Sequence, residues 1–353
     1  MSDPVPLDLE YRTPAQLPAS SDSWWHDVLG VARFGLKTFG NVSTEIPIAN
    51  VAMPPIHTCD EIWEIWHAEG PMRSGQIGSA KFRANEKVLF GCMTIPERSS
   101  QIAHGDDVHS SLEEATRRAY GDIFRVLDAT GFPQVVRIWN YMSGINDQAG
   151  NGERYWQFNG ARRGMFLARD GAIARSAPAA SALGTPIGSP LVIYFIASAT
   201  AARTLENPRQ VSAYHYPRRY GPWSPTFSRA TLLSEALGYP LFVSGTASIV
   251  GHDSVHKNNV AAQTQETLAN IEAVVKQANK LVGQQRYHIS RLTYKVYVRY
   301  PSDMATIAAE ICSNIGSITE VIFLHAEVCR RDLLVEIEAV GSNRVDPSAS
   351  LIS

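Results

Sequence analysis

The feature that most constrains this chain is that it repeats itself. From Pro240 the sequence runs through a β-rich segment broken by glycine, PLFVSGTASIVG, and then an amphipathic stretch, NNVAAQTQETLANIEAVVKQANKLV. In the latter, Leu268, Ile271, Val275 and Ala278 share one helical face. An alternating aromatic and β-branched run follows (HISRLTYKVYVRY), then a second helix opening on a Ser or Asp cap (SDMATIAAEICSNI). Two strands turning at Arg330 to Asp332 close the series (ITEVIFLHAEVCRRDLLVEIEAV). About 150 residues earlier the same order is written in other residues: VLFGCMTI, SSLEEATRRAYGDIFRVLDATG, PQVVRIWNYM, RYWQFNGARRGMFLARDG and SPLVIYFIASATA. That period is the size of an ordinary domain. The expected fold is therefore α+β, two tandem diverged copies of one unit, each a mixed sheet with helices packed on one face. The expected divisions are an extension over 1–80 packed on the first copy, a first, degenerate copy over 81–205, a connection over 206–239, and a second copy over 240–345. The connection is rich in Tyr, Arg and Pro, too long and aromatic for a plain linker, and is expected to contribute to a site.

The copies differ most where they close. Side chains alternate faces along a strand, so in CRRDLLVEIEAV Leu333, Val335, Ile337 and Ala339 share one face while Leu334, Glu336, Glu338 and Val340 share the other. Carboxylates among aliphatics must be solvated, paired or used. The first copy has Tyr-Phe-Ile in that place, so the fold itself does not demand the acids.

Several function classes are excluded or disfavoured. The formal net charge of -2 gives no general pull toward nucleic acid or anionic membrane, so any anion must be caught by a local cluster. No apolar run reaches the length of a membrane span, and the polar, Pro-rich start lacks the pattern of a secretory signal. Cys59, Cys92, Cys312 and Cys329 show no CxxC spacing, and four isolated thiols suit a reducing cytoplasm. His252 and His256 in HDSVH have a spacing that serves a metal only on a helix, and that stretch reads as a loop. GNGER lacks the Lys and Ser/Thr of a phosphate loop, and there is no GxSxG elbow. The ten histidines show no cluster with Cys or acid partners at metal-ligand spacing.

The segments LFVSGTASI, QTQETLANIEAVVKQA and VEIEAVG, over roughly Leu241 to Gly341, are similar to the RidA (YjgF) family, trimeric enamine and imine hydrolases with clefts between subunits. This chain has Val321 where the deaminases of that family carry an arginine, which argues against simple imine hydrolysis. A wider resemblance spans nearly the whole chain. NGERYWQFNGARRGMF, SAYHYPRRYGPWSPTFSRA, SGTAS and EVCRRDLLVEIEA together resemble the chorismatases, enzymes that split chorismate into pyruvate and a ring product. The resemblance implies two RidA/YjgF-like (chorismate mutase-like) domains, one site near the carboxyl-terminal domain and the connection, and no cofactor. Chorismate is then the expected small-molecule partner, without nucleic acid or membrane. A duplicated unit can satisfy within one chain an interface that single copies make between chains, so a monomer or small homo-oligomer is expected.

The same resemblance assigns roles. Chorismate cleavage can begin by protonating the methylene carbon of the enolpyruvyl ether, which needs a carboxylic acid still protonated near neutral pH. Burial in an apolar wall raises a carboxyl pKa, and the family motif makes Glu336 that acid. From the strand alone, a glutamate bonded to backbone or paired with arginine is the favoured reading, and it is the resemblance that reverses the preference. Glu338 either orients an arginine or faces solvent. Cys329 is implied to be a polar pocket-shaper on the branch that releases hydroxybenzoates rather than a covalent nucleophile. Two substrate carboxylates call for forked guanidinium donors: Arg154 and Arg162 flank YWQFNGA, and Arg229 ends the connection, where Tyr216 and Tyr220 offer aromatic faces and hydroxyls. Ala247 in SGTAS is the candidate small, product-determining residue. The expected reaction is chorismate to pyruvate and 3-hydroxybenzoate, 4-hydroxybenzoate or both. The alternatives are hydrolysis to a dihydroxycyclohexadiene carboxylate, RidA-like imine or enamine hydrolysis, or a non-catalytic binder.

Overall fold

The computed structural model describes residues 7–36, 45–56, 59–97, 103–104, 107–108, 110–150, 152–171, 177–316 and 320–341. The end of the second copy, 342–345, lies outside them. Four strands, β1 (Asp8–Arg12), β2 (Val28–Gly35), β3 (Ile48–Ala52) and β4 (Glu61–His67), form an N-terminal sheet in the order β1-β4-β2-β3. The first unit then runs β5 (Arg73–Ile77), β6 (Ala80–Ala84), β7 (Val88–Ile95), a two-residue ladder of β8 (Ala103–His104) and β9 (Asp107–Val108), α1 (Ser111–Thr130), β10 (Gln134–Ser143), a second small ladder of β11 (Gln148–Ala149) and β12 (Gly152–Glu153), α2 (Arg154–Asp170), β13 (Ala179–Thr185) and β14 (Leu191–Ser198). The second runs β15 (Arg203–Leu205), β16 (Ala230–Leu232), β17 (Leu241–Thr246), a small ladder of β18 (Ile249–Val250) and β19 (Asp253–Ser254), α3 (Val260–Val282), β20 (Thr293–Val298), α4 (Met304–Ile315), β21 (Val321–His325) and β22 (Val335–Gly341).

The duplication is visible strand by strand. The first sheet has the order β5-β6-β7-β14-β10-β13 and the second β15-β16-β17-β22-β20-β21. In both, the last strand pairs in parallel with its neighbour and the other pairs are antiparallel. The second sheet thus begins at Arg203, and the connection threads through it as β15 and β16. Local chemistry explains the long helices. Ser110 and Glu113 close a capping box on α1, and Asn259 accepts from the Ala262 N–H at the start of α3. Gly131 and Gly283 end these helices in the left-handed conformation. Asp303 precedes α4 without a side-chain cap bond, since a short 3-10 turn, Pro301–Asp303, feeds that helix instead.

Helices cover one face of each six-stranded sheet. In the second unit Leu268, Ile271 and Val275 of α3 pack with Val296, Val335 and Ile337. The opposite faces meet the N-terminal sheet in one shared core, where Trp66, Phe90, Trp139, Tyr194, Phe242 and Tyr297 are buried together. The edge strand β13 is stitched to the second unit: the Gly184 N–H donates to Glu327 O, the Ala179 N–H to Thr231 Oγ1, and the Ala180 N–H to Ser244 Oγ. Among the described residues no helix is long and apolar enough to cross a membrane.

Candidate active site

β22 lies in the middle of the second sheet, between β17 and β20, with Glu336 opposite Tyr297 and Glu338 opposite Lys295. Both glutamates point to the face that meets the first unit. Beside them β17 loses register: Val243 pairs with Ala339 and Thr246 with Ile337, so Ser244 and Gly245 together oppose Glu338. This is a β-bulge, one extra residue pressed into one strand. Its second residue has to be glycine, because a Cβ on Gly245 would overlap the Glu336 Oε1 and lie 2.9 Å from Ser181 Oγ. The Gly245 N–H donates to that Ser181 hydroxyl at 3.0 Å.

Two residues apart on one strand, the glutamates live in opposite environments. Glu338 accepts from Arg137 Nη2 (2.6 Å), Ser181 Oγ (2.6 Å), Trp139 Nε1 (2.7 Å), Lys295 Nζ (2.9 Å) and Tyr297 OH (3.3 Å). Burial works against its ionisation, but Lys295 and Arg137, with the hydroxyl bonds, outweigh it and hold the pKa below the ordinary carboxylate value. Of the two positions open to it from sequence, solvent is excluded: the residue is 3% exposed. Lys295 bridges onward to Glu64 of β4, which also accepts from Tyr194 OH and Trp66 Nε1 at 2.9 Å. Glu336 has no such donors. Burial, then the Glu338 charge, push its pKa up to about 8, with Arg137 pulling the other way. It keeps its proton at neutral pH.

Glu336 forms the floor of a pocket of about 420 Å³ between the two units, a volume in the range of small-molecule sites. The first unit supplies Glu153, Tyr155 and Trp156 from the start of α2. The second supplies Tyr216, Tyr220, Phe227 and Arg229 from the stretch between β15 and β16, Gly245, Ala247 and Ile249 around the bulge, and the turn Cys329–Asp332. A narrower recess behind Glu336 reaches Arg162, 1% exposed, and Ser181. Arg162 Nη2 donates to Asn159 Oδ1 at 3.1 Å, while its Nε is buried without a partner. Arg229 is built alike: Nη2 donates to Tyr216 OH (2.7 Å) and Val211 O (2.8 Å), its plane lies 5.2 Å from the Phe227 ring centre, and Nε is unpaired. At the mouth, Arg330 sits 3.9 Å over the Tyr220 ring and donates to Ser254 Oγ, while Tyr220 OH and Arg219 both donate to Asp253. Removal from water, and then the Glu336 charge, push the Cys329 thiol up to about 12, so it is not a thiolate.

The structure thus brings Glu336, Cys329, Tyr216, Tyr220, Arg229 and Ala247 to one cavity and Arg162 to the recess behind it. Arg154 is the exception. Eight residues of helix leave roughly 80° between two side chains, and Arg154 turns away to donate to Ser143 O at 2.7 Å and pair with Glu97 at 2.5 Å. Its neighbours Glu153, Tyr155 and Trp156 face the pocket instead. Sequence reasoning missed these three and Phe227; Arg330 and Arg331 were visible beside Cys329, but nothing in the pattern gave their direction. Among the described residues no cluster of three or more His, Cys, Asp or Glu could hold a metal. His256 bonds to Glu266, and His252 to Arg219.

The chain matches the family model described as "Chorismatase FkbO/Hyg5-like, N-terminal" over residues 64–197, which span β4 to β14. A chorismatase of Streptomyces rapamycinicus is 38% identical over 284 residues, covering 78% of this chain and 81% of its own. A 3-hydroxybenzoate synthase of Streptomyces hygroscopicus is 34% identical over 332 residues, covering 89% and 91%. Among solved structures, a chorismatase superposes with a TM-score of 0.82 at 31% identity, covering 95% of this chain and 98% of that one.

Proposed function

The chain belongs to the chorismatase family, and from that premise we propose that it cleaves chorismate to pyruvate and 3-hydroxybenzoate, 4-hydroxybenzoate or both. The observation that carries this reading is the buried carboxyl of Glu336, without the donors that surround Glu338, at the floor of a pocket ringed by guanidinium groups; its raised pKa supports it as an acid. Glu336 delivers its proton to the methylene carbon of the enolpyruvyl ether. The electrons of the C=C bond form the new C–H bond, and the adjacent carbon becomes an oxocarbenium centre. The carboxylate left behind carries the charge that stabilises this cation. Arg162 and Arg229, each with a buried Nε free, hold the two substrate carboxylates, and the aromatic walls Tyr155, Tyr216 and Phe227 accept the flat ring. The ring C–O bond of that ether then breaks, its electron pair closing the ketone of the departing pyruvate, and the ring cation loses a proton and aromatises. The remaining ring hydroxyl gives 4-hydroxybenzoate where it stands, or 3-hydroxybenzoate if its oxygen moves to the cationic carbon, with no net water in either case. Water that adds to the oxocarbenium carbon instead is consumed, the adduct collapsing to pyruvate and the dihydroxycyclohexadiene product. A pocket walled by rings favours aromatisation by keeping bulk water from the cation. Cys329, a neutral thiol, shapes the wall beside the acid, and Ala247 leaves room opposite. The four free cysteines support a cytoplasmic setting.

The test is direct. Purified protein is given chorismate, pyruvate is followed by a coupled dehydrogenase, and the ring product is identified by chromatography. Pyruvate with a hydroxybenzoate is the expected result. Absence of pyruvate overturns the reading, and a dihydroxycyclohexadiene carboxylate overturns the product assignment.

A further inference from the structure

The buried charges behind the pocket have no contact with the cavity, and nothing in the reaction above uses them. Arg137 of β10, Lys295 of β20, Glu338 of β22 and Glu64 of β4 are each at most 3% exposed and come from all three large sheets. Buried ion pairs are costly and are often replaceable by apolar residues without loss of stability. Here they converge on one carboxylate. Glu338 takes five donors, and three of them, Arg137, Trp139 and Ser181, come from the degenerate first unit. Ser181 also receives the Gly245 N–H at the bulge that makes room for Glu336. Arg137 spends Nη2 on Ser181 and Glu338, while its Nη1 is buried without a hydrogen bond.

We propose that this network is an electrostatic setting for the acid: Arg137, Ser181 and Lys295 fix Glu338 as a permanent anion beside Glu336, so that Glu336 holds its proton until substrate is bound, and Arg137 Nη1 then meets the charge left after transfer. Glu338 and Arg137 are positioning residues, acting through Glu336. This inference rests on the reading of Glu336 as the acid. Other groups also face Glu336. Tyr297 lies opposite it on β20, Tyr155 and Arg162 come from α2, and Cys329 and Arg330 from the turn before β22. Glu153, Arg229, Arg331 and Asp332 stand further round the same cavity. The variants below leave all of these in place, so a change in the field at Glu336 comes from the network alone.

The experiment reads the pH at which Glu336 loses its proton. Two like charges two residues apart on a strand face, on the order of 7 Å, shift a neighbouring pKa by about one unit or more at the dielectric of a protein interior. Glu338→Gln is expected to move the alkaline limb of kcat on chorismate down by about one pH unit with KM little changed, and Arg137→Met to move it up. Arg137→Lys is expected to restore the wild-type position. Where Glu338→Gln leaves two buried cations and fails to fold, the compensated pair Glu338→Gln/Lys295→Met removes one charge of each sign. Since the lost Lys295 charge offsets part of the lost Glu338 charge at Glu336, the pair is expected to show a smaller shift in the same downward direction. The protonated carboxyl band in infrared titrations of the substrate-free protein, assigned by its absence in Glu336→Gln, reports the same proton without turnover. Limbs and bands that stay put, or that move the same way in Glu338→Gln and Arg137→Met, overturn the proposal. Loss of all chorismate turnover in the wild type overturns the functional reading instead, and the infrared titration still decides the network.

Discussion

β14 of the first unit is the counterpart of β22 of the second, and on the face where β22 carries Glu336 and Glu338 it carries Tyr194 and Ile196. Both pairs lie on the face turned away from the helices, Tyr194 opposite Trp139 and Ile196 opposite Arg137 in the first sheet, Glu336 opposite Tyr297 and Glu338 opposite Lys295 in the second. The strand on the other side is where the two units part. β7 runs past β14 without a break, with Phe90 opposite Ile196, whereas β17 puts two residues, Ser244 and Gly245, opposite Glu338. In the first unit the corresponding space is full. Tyr194 is stacked 4.5 Å from Trp139 and 5.7 Å from Phe90, and its hydroxyl is tied to Glu64. One inserted residue and one missing side chain therefore separate a packed core from the floor of the proposed site. The site is made by subtraction, and the filled copy supplies the charges that surround it.

The largest expected effect comes from taking away the acid that distinguishes the second unit. Glu336→Gln keeps shape and removes the proton, so kcat is expected to fall by on the order of 10²–10⁴ with KM little changed, the range typical of general acids. Pyruvate release at saturating chorismate measures it, and a rate near wild type ends Glu336's assignment. Refilling the gap comes next. Gly245 is not held at positive φ, so Gly245→Ala strains no backbone, but its methyl displaces the Glu336 carboxyl. A loss of roughly 10²-fold with an intact fold is expected, since small displacements of reacting groups cost that much. Unchanged activity in a folded Gly245→Ala protein shows that the bulge is not what makes the site.

The arginines sharpen the comparison within a single helix. Arg162→Met removes a charge-assisted bond to a substrate carboxylate, on the order of 1.5–3 kcal/mol, and is expected to raise KM roughly 10- to 100-fold. Arg154→Met breaks the contact with Glu97 and lowers the melting temperature, with KM unchanged. Equal effects on KM would put both residues in the pocket and contradict the rotation that separates them.

The two glutamates are expected to answer pH in opposite senses. Glu336 has its pKa raised from 4.5 to about 8. Its contribution to stability is therefore full below the unfolded value and is lost as pH rises through about 8. Over the same upper range the acid of the substrate-free protein is ionised, and kcat/KM is expected to fall tenfold per pH unit above about 8. Glu338 is depressed, so its contribution is present above the ordinary carboxylate value and is lost on acidification. In Glu336→Gln the loss of melting temperature between about pH 4.5 and pH 8 should shrink while the acid loss persists. A variant that keeps both losses would place the one at higher pH elsewhere.

Much of this was legible because periodicity survives divergence. The repeat, the long helices and the face shared by Glu336 and Glu338 all follow from spacing. What escaped was written in residues chosen for closeness rather than pattern. The strand Ala-Ala-Ser-Ala-Leu-Gly-Thr of β13 has little β propensity, yet it is an edge strand that must lie tight against β17, where Ala180 N–H and Ser181 Oγ reach the bulge. The N-terminal sheet was invisible for a different reason. Glu64 and Trp66 acquire their meaning from Lys295 and Tyr194, contacts that no local pattern encodes. Within the site, the glycine of SGTAS was expected to mark a broken strand, but its use, making room for a carboxyl across the ladder, needed the register.

The smallest expected effect lies at Cys329, where the comparison is between outcomes rather than rates. With its thiol pushed up to about 12, Cys329 offers neither a nucleophile nor a base at neutral pH, and its influence is limited to space and a weak hydrogen bond beside the cation. Cys329→Ala deletes one sulfur from the wall next to Glu336. The proton transfer survives, so pyruvate release is expected to stay within about tenfold of wild type, each tenfold being about 1.4 kcal/mol. The cation, however, forms in a pocket with room for a water molecule where the sulfur stood. The share of dihydroxycyclohexadiene carboxylate among the ring products should therefore rise at the expense of hydroxybenzoate. Chromatography of the ring products, normalised to pyruvate, reads this partition. An unchanged partition would move product control to Ala247 and the aromatic wall, whereas loss of pyruvate release altogether would mean that the sulfur takes part in the chemistry.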